Sequence, residues 1–196
     1  MKKLITLTLA AGIAVSVFAA KKPAKPTVAK IDAKESNIKW TGKKVSGSHW
    51  GYVQYSEGFF AVDGNNITGG AFNIDMATIE NKDLTGEWKA KLEGHLKAND
   101  FFGVEKFKFV TVKIKTIQPT KDATGKFTHD VTADVTIKGI TKTLTFPAQV
   151  IVNSQQVIAN ADITFDRTQF DVMYKGMADD LIEHDITLNV RAVAKR

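Results

Sequence analysis

Apart from one gap, the chain from residue 131 to its end alternates apolar and polar side chains. Val131, Ala133, Val135 and Ile137 are interleaved with Thr132, Asp134, Thr136 and Lys138. Leu144, Phe146, Ala148, Val150 and Val152 repeat the pattern, followed by Val157, Ala159, Ala161, Ile163 and Phe165. The last run is Ile182, His184, Ile186, Leu188, Val190 and Ala192. Side chains two residues apart share a strand face, so each run predicts a strand that is apolar inside and polar outside. Earlier runs are less regular. Ile38 and Trp40 form one, and Val53 and Tyr55 continue to Phe60 and Val62 past an expected bulge at Glu57-Gly58. Phe72, Ile74 and Met76 follow an expected break at Gly69-Gly70, and Val110, Val112 and Ile114 precede a turn at Pro119. Turn signals at Asp63-Gly64-Asn65-Asn66, Thr124-Gly125, Lys138-Gly139 and Asn153-Ser154 separate the runs. These runs predict an all-β chain of eight mostly antiparallel strands. Strands of about ten residues, roughly 30 Å long, favour one closed barrel over a short-stranded sandwich. Eight strands enclose an interior that is either filled by side chains or holds one ligand.

Two stretches interrupt the alternation. Thr85 to Lys97 predicts a short helix with Trp88, Leu92 and Leu96 or His95 on one side. It runs into His95 to Phe109, where Phe101, Phe102, Phe107 and Phe109 crowd together. Such an insertion either plugs one end of the barrel or gates a cavity inside it, and burial of Trp88, Phe101 and Phe102 distinguishes the two. The second stretch, Asp166 to Asp180, has no period and predicts an irregular connection.

Charge adds an export reading. Lys2 and Lys3, the apolar run Leu4 to Phe18 and the small residues at Ala19 predict a signal peptide over 1–19. A basic segment over 20–35, with Lys21, Lys22, Lys25 and Lys30 beside Pro23 and Pro26, precedes a barrel domain over 36–196. The expected location is the periplasm or another exported compartment. The basic segment reads either as a solubilising tail or as a means of transient contact with an anionic membrane surface. Nucleic acid is not an expected partner, because the basic residues lack interleaved aromatic stacking partners. The chain has no cysteine, which excludes disulfides, thiol catalysis and thiolate metal sites. His49, His95, His129 and His184 have no metal-ligand spacing, so no metal or other cofactor and no enzymatic activity are expected.

Four separated blocks resemble the signatures of the YceI-like proteins: WTGKKVSGSHWGYV (Trp40 to Val53), HLKANDFFGVEKF (His95 to Phe107), DVTIKGITKTLTF (Asp134 to Phe146) and FDRTQFDV (Phe165 to Val172). The resemblance runs from about Ser36 to Ala192. It implies a lipocalin-like, extended β-barrel with an elongated apolar cavity for a polyisoprenoid or other long-chain lipid, such as a quinone or polyprenyl lipid. By position, the lining candidates on the first strands are Trp40, Val53, Tyr55, Phe60, Phe72 and Ile74. Those on later strands are Val112, Ile114, Val135, Leu144, Phe146, Ile163, Phe165, Ile186 and Leu188, with Trp88, His95, Phe101 and Phe102 in the insertion. For each wall residue, ordinary barrel core is the competing reading.

Arg167 and His95 are the polar candidates. Arg167 reads either as a contact for the head of an amphiphile or as one half of an internal ion pair with Asp166 or Asp171. His95 reads as a head contact or as a hydrogen bond holding the helix end. Burial contributes about 0.8 kcal/mol per CH₂. Several isoprene units thus exceed the affinity ceiling of about 20 kcal/mol before costs, so selectivity must come from cavity depth and a few polar groups. The leading expectation is an exported, non-enzymatic lipid carrier. The alternative is a barrel without ligand that partners a membrane protein or a stress response, and an enzyme acting on bound lipid comes third.

Overall fold

The computed structural model describes residues 26–196. Its strands are β1 (Thr27–Ile31), β2 (Asn37–Lys44), β3 (Gly47–Asp63), β4 (Asn66–Asn81), β5 (Phe109–Pro119), β6 (His129–Ile137), β7 (Ile140–Val152), β8 (Gln156–Asp166), β9 (Gly176–Met177) and β10 (Asp180–Lys195). One helix, α1 (Gly86–Lys97), lies between β4 and β5, and a 3-10 turn spans Arg167–Phe170. The expected leader over 1–19 and the residues Lys21, Lys22 and Lys25 lie outside the described residues.

Strands β2 to β8 follow one another around the sheet, each antiparallel to the last, and β10 closes the ring between β8 and β2. The closure is a barrel of eight staves, because β1 and β2 share one: Ala29 stands opposite Phe60 of β3, and Ile38 opposite Val53. The barrel therefore begins upstream of residue 36. Ala29 is fully buried, so part of the segment expected as a solvated tail is sheet.

Bulges keep the apolar side chains inside. On β3, Tyr55 pairs with Ile74 and Glu57 with Asn73, which leaves Ser56 as an extra residue. The inward positions switch there from odd to even, so Tyr55 and Phe60 both face the interior. The expected bulge at Glu57-Gly58 lies one step earlier. On β10 the register shifts between Ile182 and Ile186, and His184, expected among the inward residues, is exposed in that bulge. The expected break at Gly69-Gly70 does not occur, because β4 runs through both residues. A side chain at Gly70 would press on the carbonyl of Phe59, so the pair marks close strand packing rather than a chain break.

Antiparallel order brings the β2–β3 hairpin, α1 with the loop after it, the β6–β7 turn and the connection from β8 to β10 to one end of the barrel. At the β6–β7 turn, Lys138 and Gly139 both have positive φ (51° and 78°), as a two-residue hairpin turn requires.

Gly51 is where the sheet admits the Trp40 indole. It stands opposite Trp40 on β2, and a Cβ there would lie 1.8 Å from the carbonyl oxygen of Glu80 and 2.9 Å from the indole ring. Gly51→Ala is expected to destabilise the barrel by about 3 kcal/mol or more, measured by urea unfolding. A change below ~1 kcal/mol would contradict this packing.

Candidate functional site: a capped apolar cavity

The interior of the barrel is open. About 270 Å³ is free to the centre of a water-sized sphere, far above the roughly 10–15 Å³ that one water needs. The space follows from an unequal wall. Trp40, Tyr55, Phe60 and Phe72 line it on β2 to β4, whereas Ala148, Ala159, Ala161 and Ala192 line it on β7, β8 and β10. Every wall residue expected from the alternation faces this cavity: Trp40, Val53, Tyr55, Phe60, Phe72, Ile74, Val112, Ile114, Val135, Leu144, Phe146, Ile163, Phe165, Ile186 and Leu188. Ile38, Met76, Val110, Val131, Ile137, Val150, Ala159, Ile182 and Val190, which carry the same periodicity, line it too. Leu92, Leu96, Ile67, Ile79 and Ile117 complete the apolar lining.

The insertion caps one end. Leu92, His95 and Leu96 of α1, with Phe101 and Phe102 of the next loop, face the cavity. Phe101 is buried and Phe102 half-buried. Trp88, by contrast, is 71% exposed on the outer side of α1, where Lys91 lies 5.0 Å from the centre of its ring. It does not belong to the cavity. The cap closes over an open interior rather than filling it. His95 packs edge-on against Tyr174, 4.3 Å between ring centres, and its Nε2 lies 3.3 Å from an Asp100 carboxylate oxygen. That contact ties α1 to its own loop and to the β8–β10 connection while leaving the imidazole in the cavity lining.

Arg167 is not in the cavity wall either. It is 2% exposed, and its guanidinium donates to three backbone carbonyls, those of Glu183, Val172 and Ile182. The expected ion pair is also absent: Asp166 accepts from the Thr168 amide and hydroxyl, and Asp171 faces Lys138. Desolvation lowers the Arg167 pKa, partly offset by the charge of Asp166. The residue staples the β8–β10 connection to the bulge of β10, and its guanidinium lies 6.0 Å from the centre of the Phe101 ring. Nothing in the alternation distinguished such a staple from a group facing ligand.

The polar residues of the lining, Lys43, Lys44, His49 and His95, all belong to the capped end. Two carboxylates organise it. Asp180 pairs with Lys44 and accepts from the amide and hydroxyl of Ser46. Asp83 accepts from the Trp50 amide and Asn81 Nδ2 and faces His49 Nδ1 at 2.7 Å. The fully buried Asn81 also donates to the Trp50 carbonyl, accepts from the Leu84 amide, and through its own amide meets Glu93 of α1. Sequence reasoning missed Asn81, which has no periodic or motif signal. Met173, Met177 and Leu181 lie outside the rim, exposed, and do not line the cavity. Among the described residues no group of three or more His, Asp or Glu side chains is placed to hold a metal ion, and no helix is long and apolar enough to cross a membrane.

Residues 30–194 match the model of the YceI-like domain. The chain belongs to the YceI-like family. It is similar to a UPF0312 protein of Pseudomonas fluorescens, 30% identical over 158 residues covering 72% of this chain and 76% of that one. A UPF0312 protein of Pseudomonas putida is 28% identical over 176 residues, 81% of this chain and 83% of the relative. Among solved structures, BcnA of Burkholderia cenocepacia superposes with a TM-score of 0.63 at 19% identity, covering 84% of this chain and 99% of BcnA. A polyisoprenoid-binding domain from Saccharophagus degradans gives 0.61 at 11% identity, covering 86% and 99%. Both share the YceI-like barrel.

The capped end is pH-sensitive in a stated direction. For Asp83, burial raises the pKa but hydrogen bonds from Trp50, His49 and Asn81 outweigh it. For Asp180, hydrogen bonds from Lys44 and Ser46 outweigh burial. Both folded-state values lie below the ordinary aspartate value of 3.8. The stabilisation is therefore complete above that value and is lost as pH falls through the depressed ones. Amide exchange of Ser46 and Trp50, corrected for its intrinsic pH dependence, is expected to lose protection below pH 3.8, before that of Val135 does. Asp180→Asn should expose Ser46 at neutral pH. Protection of all three amides falling together would contradict this role of Asp83 and Asp180 at the capped end.

Proposed function

We propose that this protein is an exported, non-enzymatic carrier that holds one long-chain isoprenoid lipid inside the barrel. The observation that carries the reading is the open, apolar, capped cavity with its lysines and histidines confined to one end. An empty apolar space of this size forgoes dispersion contacts along its walls. An isoprenoid chain restores them and removes its own carbon from water, at about 0.8 kcal/mol per CH₂. Membership of the YceI-like family and the fold shared with a polyisoprenoid-binding domain support the same ligand class.

The route of loading follows from the capped end. Val45 is 74% exposed and Met177 66%, and the Val45 amide donates to the carbonyl of exposed Leu181, so the hairpin tip and the start of β10 form one apolar edge. Lys43 and Lys44 stand beside it. In this reading the edge touches an anionic membrane surface while the lipid passes beneath α1. The open interior favours the carrier over a barrel that acts only as a protein partner.

Chain stripped of lipid by unfolding, then refolded with a long polyprenol, is expected to bind one molecule per chain. Ile163→Trp places an indole in the cavity wall; it should fold with an unchanged circular dichroism spectrum and bind at least ~10-fold more weakly. Equal affinity in that variant, or no binding by the parent chain, would count against the carrier.

A further inference from the structure

Among the described residues the fold satisfies its deeply buried polar side chains by hydrogen bonding, with one exception, an indole nitrogen packed in the wall and out of contact with the open space. Asn81 and Arg167 are fully partnered. Trp40 Nε1 is buried without a partner among the described residues, and Trp40 is 8% exposed. Tyr55 is also 8% exposed and lines the cavity. No side chain or carbonyl among the described residues hydrogen-bonds its hydroxyl, and burial alone pushes its pKa up, so it remains a protonated donor. The Tyr55 ring is held edge-on against Phe72, 6.0 Å between centres, and Phe72 in turn against Phe60 at 4.9 Å. The donor is thus presented by a packed aromatic group.

Resting on the carrier reading, we propose that Tyr55 recognises a neutral oxygen acceptor on the bound lipid, held within the barrel beneath the cap. A protonated tyrosine hydroxyl facing an apolar space is a donor without an acceptor in the wall, and a ligand oxygen supplies one. The complementary group is a carbonyl, ether or hydroxyl oxygen. An anionic head does not fit this stretch of wall: the lysines of the lining are at the rim, Lys44 is already paired with Asp180, and an unpaired buried charge is strongly disfavoured.

Three chain-matched probes test this on the full protein: a prenylated benzoquinone, which accepts but does not donate; squalene, an all-hydrocarbon isoprenoid; and a polyprenyl diphosphate. Tyr55→Phe is expected to weaken the benzoquinone by about three- to tenfold, to leave squalene unchanged, and not to lower the melting temperature of the empty protein. Loss of affinity for both probes alike, or for neither, would overturn the inference while leaving the carrier standing. Tighter binding of the diphosphate than of the benzoquinone would overturn the neutral-head assignment. Failure of the parent chain to bind any probe would overturn the carrier reading itself.

Discussion

Closure of the sheet is the constraint on which the rest depends. β10 pairs along its length with β8 and, past the bulge, with β2, so no strand of the ring is left with an unpaired edge. Once the ring is closed, every inward side chain is committed to one interior, and volume there is set by residue size alone. Large aromatics line it on β2 to β4, and alanines line it on β7, β8 and β10 beside Phe146 and Phe165. Replacing those alanines with leucine-sized residues would fill the space, and the result would be a solid barrel on the same backbone. The cavity is therefore a property of residue choice rather than of strand number.

The end that is not simply sheet is built on a different physical basis. The β8–β10 connection buries Phe170 and Val172 in the core, and it and α1 are fixed further by buried polar groups: Asn81 with Asp83 and Glu93 on one side, Arg167 with three carbonyls on the other. Such contacts are costly to leave half-made and therefore specify one arrangement. Asp83 and Asp180 at this end are held below the ordinary aspartate value by their hydrogen bonds, as are Asp134 and Asp162 on the outer face of the barrel.

The barrel was legible in the sequence because inward and outward residues differ in kind along every stave. Even the parity change on β3 could be read, since Tyr55 and Phe60 cannot both point inward without an extra residue. β1 was not legible: Thr27 to Ile31 is short, follows a run of lysines and prolines, and owes its place to pairing with residues far along the chain. His184 shows the reverse failure, a residue in correct phase lifted out by a bulge. At the site, apolar lining followed from period alone, whereas Trp88 and Arg167 were misplaced. An aromatic beside a cavity and a cation at a strand end carry no sequence mark of the direction they face. The same holds for Asn81, whose importance lies wholly in its partners.

The central claim is that the cavity exists to be filled by one lipid chain. Native mass spectrometry of the protein purified from cells tests it most directly. The account predicts a folded species heavier than the bare chain by one lipid, released as an isoprenoid when the protein is unfolded in organic solvent. A folded species at the mass of the bare chain, from preparations made without detergent, would contradict it.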